Sequence, residues 1–265
     1  MALAFAKYHG LGNDFVIVDR RRRGLFSPID ARKLCDRHRG IGADGVLSIL
    51  EPERGGDLRM HVYNSDGSVA EMCGNGLRCV VHRAAELFGR ARFRVETDAG
   101  LRGGEVIRGN EVRVSLGRAR VDPKPVSVTI GAARVEGRRV DLGNPHLVLP
   151  ELAPELDLGA LAAAHGAILS RHPDFESGTN VEFPRTLPDG SVEVVVFERG
   201  VGLTQACGTG AGAVVAAAAA LGRPKTEVLV RLPGGPLRVY QDDDEIVISG
   251  EAVHVFDGVT ELVSS

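Results

Sequence analysis

The chain has 265 residues, of which 43% are hydrophobic and 25% charged, the composition of an ordinary globular protein. Its net charge of -3, from 32 basic and 35 acidic residues, gives no reason to expect a nucleic acid or a membrane as partner. The N-terminus shows no signal-peptide pattern, and no apolar run approaches the ~20 residues of a membrane span. We therefore expect a cytoplasmic protein with its four cysteines reduced.

Short β-type runs separated by Gly, Asp-Gly or Pro predict strands along the whole chain. In chain order these runs are 15–19, 45–50, 58–64, 111–116, 191–197, 226–232 and 245–250. Four helices are predicted between them, at 30–37, 77–89, 159–165 and 211–222. The second and fourth helices each end at a glycine, which is a common helix terminator.

Many strands with few helices indicate an α+β fold with largely antiparallel pairing. The stretch 210–221 is almost entirely Ala, Val and Gly, and a helix that is apolar on every side is expected to be buried. Its small side chains suit a helix enclosed by a sheet. The Pro-bearing stretch 117–126 is the best candidate for a boundary within the chain.

A short motif occurs twice, about half the chain length apart. The first copy is Met72-Cys73-Gly74-Asn75-Gly76 and the second is Ala206-Cys207-Gly208-Thr209-Gly210. Each copy follows a predicted strand and opens a predicted helix. The repetition predicts two similar halves that each contribute one loop to a shared site.

The start of a helix is a natural place for a reactive cysteine and a bound carboxylate. Its first turn has unpaired backbone N–H groups and a partial positive charge, and glycines let a ligand approach that backbone. The same environment stabilises a thiolate. Two such loops would hold an α-amino acid by its carboxylate, with one sulfur on each face of the α-carbon. This arrangement suits stereoinversion, in which one thiolate removes the α-proton and the opposite thiol delivers another.

Simpler interpretations of these residues stay open. A single C-G-x-G segment is more often a tight turn with a small buried residue, so the prediction depends on the matched pair. Cys73 and Cys79 do not share a helix face, and neither a C-x-x-C nor a His pair with zinc spacing is present. Cys35 and Cys79 are therefore expected to be ordinary buried residues, with no metal bound.

Further segments extend the pattern over the whole chain. They are KYHGLGNDFVIVD (7–19), GIGADG (40–45), VYNSDGSVAEMCGNG (62–76), DLGNPHLV (141–148), GTNVEF (178–183), FERGVGLTQACGTGAGA (197–213) and AVHVFDG (252–258). In this order and spacing the chain resembles the diaminopimelate epimerases. The resemblance implies two pseudo-symmetric lobes, each with strands wrapped around a central helix, and an active site in the cleft between them. The lobes implied are 1–118, completed by 253–265, and 119–252.

The resemblance also implies roles for individual residues. Cys73 and Cys207 correspond to the acid/base pair, and His146 and Glu198 to polar residues that position or polarise these thiols. The carboxylate-binding amides correspond to Gly74, Asn75, Gly208 and Thr209. Residues that bind the amino and carboxylate groups of the substrate correspond to Asn13, Asn64, Asn144, Asn180, Glu198 and Arg199.

The implied reaction interconverts LL- and meso-diaminopimelate without pyridoxal phosphate, metal or any other cofactor, in a homodimer. The residues suit this substrate, because Arg199 offers a bidentate fork for a distal carboxylate and the asparagines offer both donors and acceptors. Taken singly, Asn13, Asn64 and Asn180 fit turns equally well, and Asn144-Pro145 is a turn signal.

Two positions depart from the family pattern, and two other functions stay open. Gly45 replaces a glutamine of some relatives, and Phe256 replaces a tyrosine in a segment linked to dimer contacts. Proline racemase and its relatives share the two-cysteine plan, but they typically carry a histidine where this chain has Asn75. A protein that binds an amino acid without catalysing its inversion is the alternative from another class.

Overall fold

The computed structural model describes residues 2–223 and 227–262. Thr226, at the start of one predicted strand, and the end of the predicted segment 253–265 lie outside the described residues. The helices are α1 (Pro28–Cys35), α2 (Gly74–Phe88), α3 (Leu158–Leu169) and α4 (Gly208–Ala220). The strands are β1 (Leu3–Gly10), β2 (Asn13–Asp19), β3 (Gly45–Leu50), β4 (Leu58–Asn64), β5 (Val69–Ala70), β6 (Arg92–Thr97), β7 (Gly100–Arg108), β8 (Glu111–Arg118), β9 (Arg120–Val121), β10 (Val126–Ile130), β11 (Ala133–Asp141), β12 (Pro145–Val148), β13 (Asn180–Thr186), β14 (Val192–Glu198), β15 (Gly202–Leu203), β16 (Val228–Leu232), β17 (Gly235–Asp242), β18 (Glu245–Glu251) and β19 (Val253–Thr260).

The described residues form two compact units. Unit 1 contains the residues up to Ser115 together with those from Gly250 onward, and unit 2 contains those between Leu116 and Ser249. Among the described residues, no helix has the length and apolar character needed to cross a membrane.

Unit 1 is built from antiparallel strand pairs with two parallel pairs inserted. Strand β1 lies antiparallel to both β2 and β19, and β2 lies parallel to β3. Strand β4 is antiparallel to β3 and β5 and parallel to β6, and β6, β7 and β8 continue as an antiparallel series. Helix α2 contacts strands from the whole length of this arrangement, including β1, β3, β6 and β7.

The sequence of α2 explains why it lies inside this sheet. Its buried side chains Leu77, Val80, Val81 and Ala84 recur at the spacing that forms one continuous apolar face. The helix ends at Gly89, whose φ of 67° lies in the left-handed region that closes many helices. The predicted helix and its stop are confirmed.

Unit 2 repeats the arrangement of unit 1. The series β12 to β18 pairs in the same order and with the same parallel or antiparallel sense as the series β2 to β8. Helix α3 lies between β12 and β13 as α1 lies between β2 and β3, and α4 follows β15 as α2 follows β5. The predicted α+β fold with two pseudo-symmetric, mostly antiparallel halves around helices is therefore confirmed.

Helix α4 is the apolar helix expected from the Ala-rich stretch, with one correction. Its residues from Gly208 to Ala217 are buried, but its last turn emerges from the unit and Ala220 is exposed. Leu221, predicted to lie in the buried helix, is the residue that caps it and is 62% exposed. Gly212 explains the tight enclosure, because a Cβ there would lie 2.9–3.1 Å from the side chains of Ile246, Leu116 and Leu142.

Candidate active site

Each repeated loop places its cysteine at the start of a buried helix. Cys73 is the N-cap residue of α2, and its sulfur accepts a hydrogen bond from the backbone N–H of Gly76 at 3.3 Å. Cys207 is the N-cap residue of α4, and its sulfur accepts from Gly210 at 3.3 Å. Both cysteines have extended backbone angles, as N-cap residues require. The two sulfurs therefore have the same local geometry in their separate units.

The four residues predicted as carboxylate-binding amides lie in the first turns of helices α2 and α4. In the first turn of a helix the backbone N–H groups point along the axis toward an incoming ligand, and the helix dipole adds partial positive charge. The residues in these turns are Gly74 and Asn75 in unit 1 and Gly208 and Thr209 in unit 2. Each turn is therefore suited to bind a carboxylate.

In unit 1 a series of side-chain amides extends from the Cys73 loop. Asn75 is buried and donates from Nδ2 to Oδ1 of Asn13 at 3.2 Å. Asn13 in turn donates to Oδ2 of Asp44 at 2.9 Å. Leu11 precedes this series with a φ of 55°, an unusual conformation for leucine, in the two-residue turn that places Asn13 at the start of β2. The fold thus brings the predicted residues Asn13 and Asn75 together.

Arg78 is the residue in unit 1 that the sequence prediction missed. It is fully buried, and its Nη2 donates to Oδ1 of Asn75 at 3.1 Å. Its Nε donates to the backbone oxygen of Glu251, and its Nη1 has no hydrogen-bond partner among the described residues. Arg78 thereby fixes the orientation of the Asn75 amide. Its position three residues after Asn75, on the same helix face, is the signal that indicates this contact.

Asn64 lies at the end of β4, and its side chain donates to the hydroxyl of Ser68 at 2.9 Å. The register of β3 and β4 places it directly opposite Gly45. A Cβ at Gly45 would lie 2.7 Å from the backbone oxygen of Tyr63. A longer side chain at this position would therefore require a shift of the backbone.

In unit 2 a continuous series of hydrogen bonds leads from the interior to Cys207. His146 is buried, and its Nε2 lies 2.9 Å from Oδ1 of Asn144. Asn144 donates from Nδ2 to the hydroxyl of Thr209 at 3.2 Å, and this hydroxyl lies 3.5 Å from Sγ of Cys207. The other ring nitrogen of His146, Nδ1, lies 2.7 Å from Oε1 of Glu182.

Glu182 was not predicted as a site residue. It is fully buried on β13, where it points to the same side as Asn180 because side chains two apart along a strand share a face. A charged residue between the apolar residues Val181 and Phe183 is the signal that would have identified it. Burial raises the pKa of the Glu182 carboxyl, while His146 acts in the opposite direction.

Glu198 and Arg199 lie where β14 ends. Glu198 accepts a hydrogen bond from the hydroxyl of Thr204 at 2.6 Å, and burial raises the pKa of its carboxyl. The backbone N–H of Arg199 donates to Oδ1 of Asn180 at 2.9 Å, and its guanidinium donates to the backbone oxygen of Ser177. Asn180 is therefore hydrogen-bonded to the backbone at the end of β14, where Glu198 and Arg199 lie.

The four cysteines have different environments, although all are free thiols. Burial raises the pKa of Cys35 and of Cys79 to about 12, and both are buried, as predicted. Burial and the neighbouring Glu198 carboxyl raise the pKa of Cys207 well above its ordinary value, while Thr209 acts to lower it. Burial and the Glu198 carboxyl thus favour the thiol form of Cys207 over the thiolate.

Known sequences and solved structures match this protein along almost the whole chain. A sequence model of the family described as diaminopimelate epimerase matches residues 5–121 and 138–255. The diaminopimelate epimerase of Synechocystis sp. is 38% identical over 99% of this chain and 100% of the relative. That of Desulforudis audaxviator is 43% identical over 97% of this chain and 98% of the relative. The solved structure of a hydroxyproline epimerase from Agrobacterium vitis has a TM-score of 0.76 and 17% identity, covering 98% of this chain and 91% of that one. At this identity the similarity concerns the fold.

Proposed function

Because the chain belongs to the diaminopimelate epimerase family, we propose that it interconverts LL-2,6-diaminopimelate and meso-2,6-diaminopimelate. The reaction is an isomerisation at one α-carbon that needs no pyridoxal phosphate, metal or other cofactor, and it serves lysine and peptidoglycan precursor biosynthesis. The observation that carries this proposal is the pair of cysteines at matching helix starts, each bonded to the third N–H of its helix.

Cys73 and Cys207 are the two bases of the proposed reaction. One thiolate removes the α-proton, and the other sulfur, as a thiol, delivers a proton to the opposite face of the same carbon. The raised pKa of Cys207 suits its role as the acid in one direction, with Cys73 as the base. In the reverse direction the two sulfurs exchange roles.

The helix starts stabilise the intermediate between the two proton transfers. Loss of the α-proton moves negative charge onto the oxygens of the substrate carboxylate. Backbone N–H groups of Gly74, Asn75, Gly208 and Thr209 are the proposed donors to these oxygens. Because the donors belong to helices held rigidly by their sheets, little reorganisation is needed when the charge develops.

The remaining predicted residues recognise the substrate in this proposal. Arg199 binds the distal carboxylate through two parallel N–H groups, a geometry that guanidinium provides and ammonium does not. Asn13, Asn64, Asn144, Asn180 and Glu198 bind the amino and carboxylate groups of the substrate together with Arg199, because amides offer both donors and acceptors. His146 and Glu198 also position the thiols.

We further propose that the enzyme works as a cytoplasmic homodimer. Strand β19 exposes Val255, Phe256 and Val259, which are 54%, 45% and 69% exposed. Exposed apolar side chains on this strand support an interface at this surface. Sedimentation of the wild-type chain and of Phe256→Asp tests this, since the substitution is expected to shift the mass from dimer to monomer.

The proposed substrate is tested against the alternatives within and outside the enzyme class. Incubation with LL-diaminopimelate in heavy water is expected to give the meso isomer with deuterium at the inverted carbon. Proline and histidine are expected to show no exchange. Turnover of proline or histidine alone would contradict the substrate assignment. Binding of diaminopimelate with no α-proton exchange would indicate a binding protein instead.

A further inference from the structure

Five side chains in unit 2 form a connected series from the interior to a sulfur. We call the series Glu182–His146–Asn144–Thr209–Cys207 the acid-to-sulfur chain; its successive distances are 2.7, 2.9, 3.2 and 3.5 Å. The proposed function uses its last members, but it assigns nothing to Glu182.

The donor and acceptor groups of Asn144 fix the direction in which the hydrogen bonds of the acid-to-sulfur chain run. The amide oxygen of Asn144 only accepts, so Nε2 of His146 carries a hydrogen and donates to it. The amide nitrogen of Asn144 only donates, so the hydroxyl of Thr209 accepts from it. The one hydrogen of that hydroxyl is then available to the sulfur of Cys207.

The carboxyl of Glu182 lies at the start of the acid-to-sulfur chain, and one of its oxygens has no hydrogen-bond partner among the described residues. Its Oε1 faces Nδ1 of His146, whereas its Oε2 is buried and has no hydrogen-bond partner among the described residues. A carboxylate with an unsatisfied oxygen is costly to bury, whereas a neutral carboxylic acid is much less so. The acid form donates to Nδ1 and leaves the hydrogen of His146 on Nε2. Burial raises the pKa of the Glu182 carboxyl and so also favours its acid form.

The equivalent place in unit 1 shows that the fold does not require this pair. The strand registers pair Val148 with Glu182 in unit 2 and Ile17 with Leu47 in unit 1. Leu47 approaches Gly76 as Glu182 approaches Gly210, with a built Cβ 3.1 and 3.0 Å away respectively. An apolar side chain therefore fills this position in one half of the repeat.

We propose that Glu182 is a positioning residue that, as a buried carboxylic acid, sets the direction of the acid-to-sulfur chain so that its last hydrogen bond reaches Cys207. A hydroxyl that donates to the sulfur stabilises the thiolate that forms there when Cys207 gives up its proton. The inference rests on the proposed function for its kinetic consequence, but the direction of the chain is a property of the resting protein.

Two substitutions separate the roles of shape and hydrogen bonding. Glu182→Gln keeps the shape and supplies an N–H to Nδ1, so we expect kcat on LL-diaminopimelate to stay within about threefold of wild type. Glu182→Leu copies unit 1 and removes the donor to Nδ1 of His146. The Thr209 hydroxyl is then no longer directed to donate to the sulfur, so we expect kcat to fall at least ~10-fold. Glu193→Leu, in the same unit, loses a bond to Arg185 and serves as the matched control with unchanged kcat.

The resting protein provides a readout that does not depend on turnover. With nitrogen-15-labelled histidine, the His146 signals, assigned with His146→Phe, are expected to show a neutral ring with its hydrogen on Nε2. Glu182→Gln is expected to keep this tautomer and Glu182→Leu to lose it. A ring protonated at both nitrogens, a hydrogen on Nδ1 alone, or equal kcat in the Leu and Gln variants would overturn the proposal. Failure of wild type to convert diaminopimelate would instead overturn the proposed function and leave the tautomer measurement valid.

Discussion

Gly210→Ala tests how tightly the Cys207 loop is packed. A Cβ at Gly210 would lie 3.0 Å from Oε1 of Glu182, 3.1 Å from Cγ2 of Val196 and 3.3 Å from the sulfur of Cys207. All three distances are shorter than the optimal separation of about 3.5–4.0 Å between carbon atoms. Glu182 has little freedom to move, because it is fully buried and bonded to His146.

Overpacking of a well-packed interior costs about 1–3 kcal/mol. Replacement of a helical glycine by alanine returns about 1 kcal/mol through helix propensity. We therefore expect Gly210→Ala to lose up to about 2 kcal/mol of unfolding free energy. Displacement of the sulfur by a fraction of an ångström is expected to lower kcat by ~10-fold or more, because small misplacements of reacting groups are costly.

Gly76→Ala is the matched control at the equivalent position of unit 1. Its Cβ would lie 3.3 Å from the sulfur of Cys73, as at Gly210, so it is a control for stability and not for activity. Its other contacts, at 3.1 and 3.2 Å, are with the two terminal methyl groups of Leu47, which rotate more easily than a hydrogen-bonded carboxyl. We expect a stability within about 1 kcal/mol of wild type. Urea unfolding followed by circular dichroism, with kcat on LL-diaminopimelate, measures both variants. Gly210→Ala with the stability of Gly76→Ala and full activity would refute the packing argument.

Two further predictions concern a buried and a half-buried charge in unit 1. Arg78→Met removes the donor that orients Asn75, so KM for diaminopimelate is expected to rise at least ~10-fold, while the melting temperature stays unchanged or rises because a buried cation is removed. An unchanged KM would contradict this. Burial would raise the pKa of Asp14, but hydrogen bonds from Arg37 and Lys7 lower it to about 2. The stability from this lowered pKa is present above the ordinary value of 3.8 and is lost as the pH falls toward 2. Asp14→Asn is thus expected to lose on the order of 2 kcal/mol at pH 7 and to match wild type near pH 2, as measured by urea unfolding at both values; an equal loss at both would contradict the assignment.

Local pattern was sufficient to predict the elements that form the site. The strands 45–50 and 58–64 are apolar runs with clear ends, and both are observed with those bounds. The helices α2 and α4 follow from the repeated loop, because a cysteine followed by glycines opens each one. The α+β class follows from the number and spacing of the runs.

Strands β7 and β19 were not predicted, for different reasons. Strand β19 alternates little between buried and exposed residues, and it is held by β1 from the other end of the chain, a partner that no local window contains. Strand β7 pairs with its neighbours in sequence, β6 and β8. It has three glycines and mostly exposed or half-buried residues, so its sequence lacks the period-two pattern of a half-buried strand.

Two site residues were also missed by the sequence prediction. Arg78 and Glu182 belong to residue types that usually lie on the surface, and only the folded units show that both are fully buried. Glu182 acts through His146, which is 36 residues away in sequence, whereas Arg78 contacts Asn75 one helical turn away. Asn75 and His146 were predicted, because they stand within the motifs themselves.

In the proposed mechanism two sulfurs act as acid and base on one α-carbon. Turnover and α-deuterium incorporation with LL-diaminopimelate in heavy water test this mechanism in wild type, Cys73→Ala and Cys207→Ala, with Cys79→Ala as the control. We expect each of the first two variants to lose turnover by at least ~10²-fold, the usual effect of removing a general acid or base, while Cys79→Ala retains it. Wild-type turnover in either Cys73→Ala or Cys207→Ala would show that the two-sulfur mechanism is wrong.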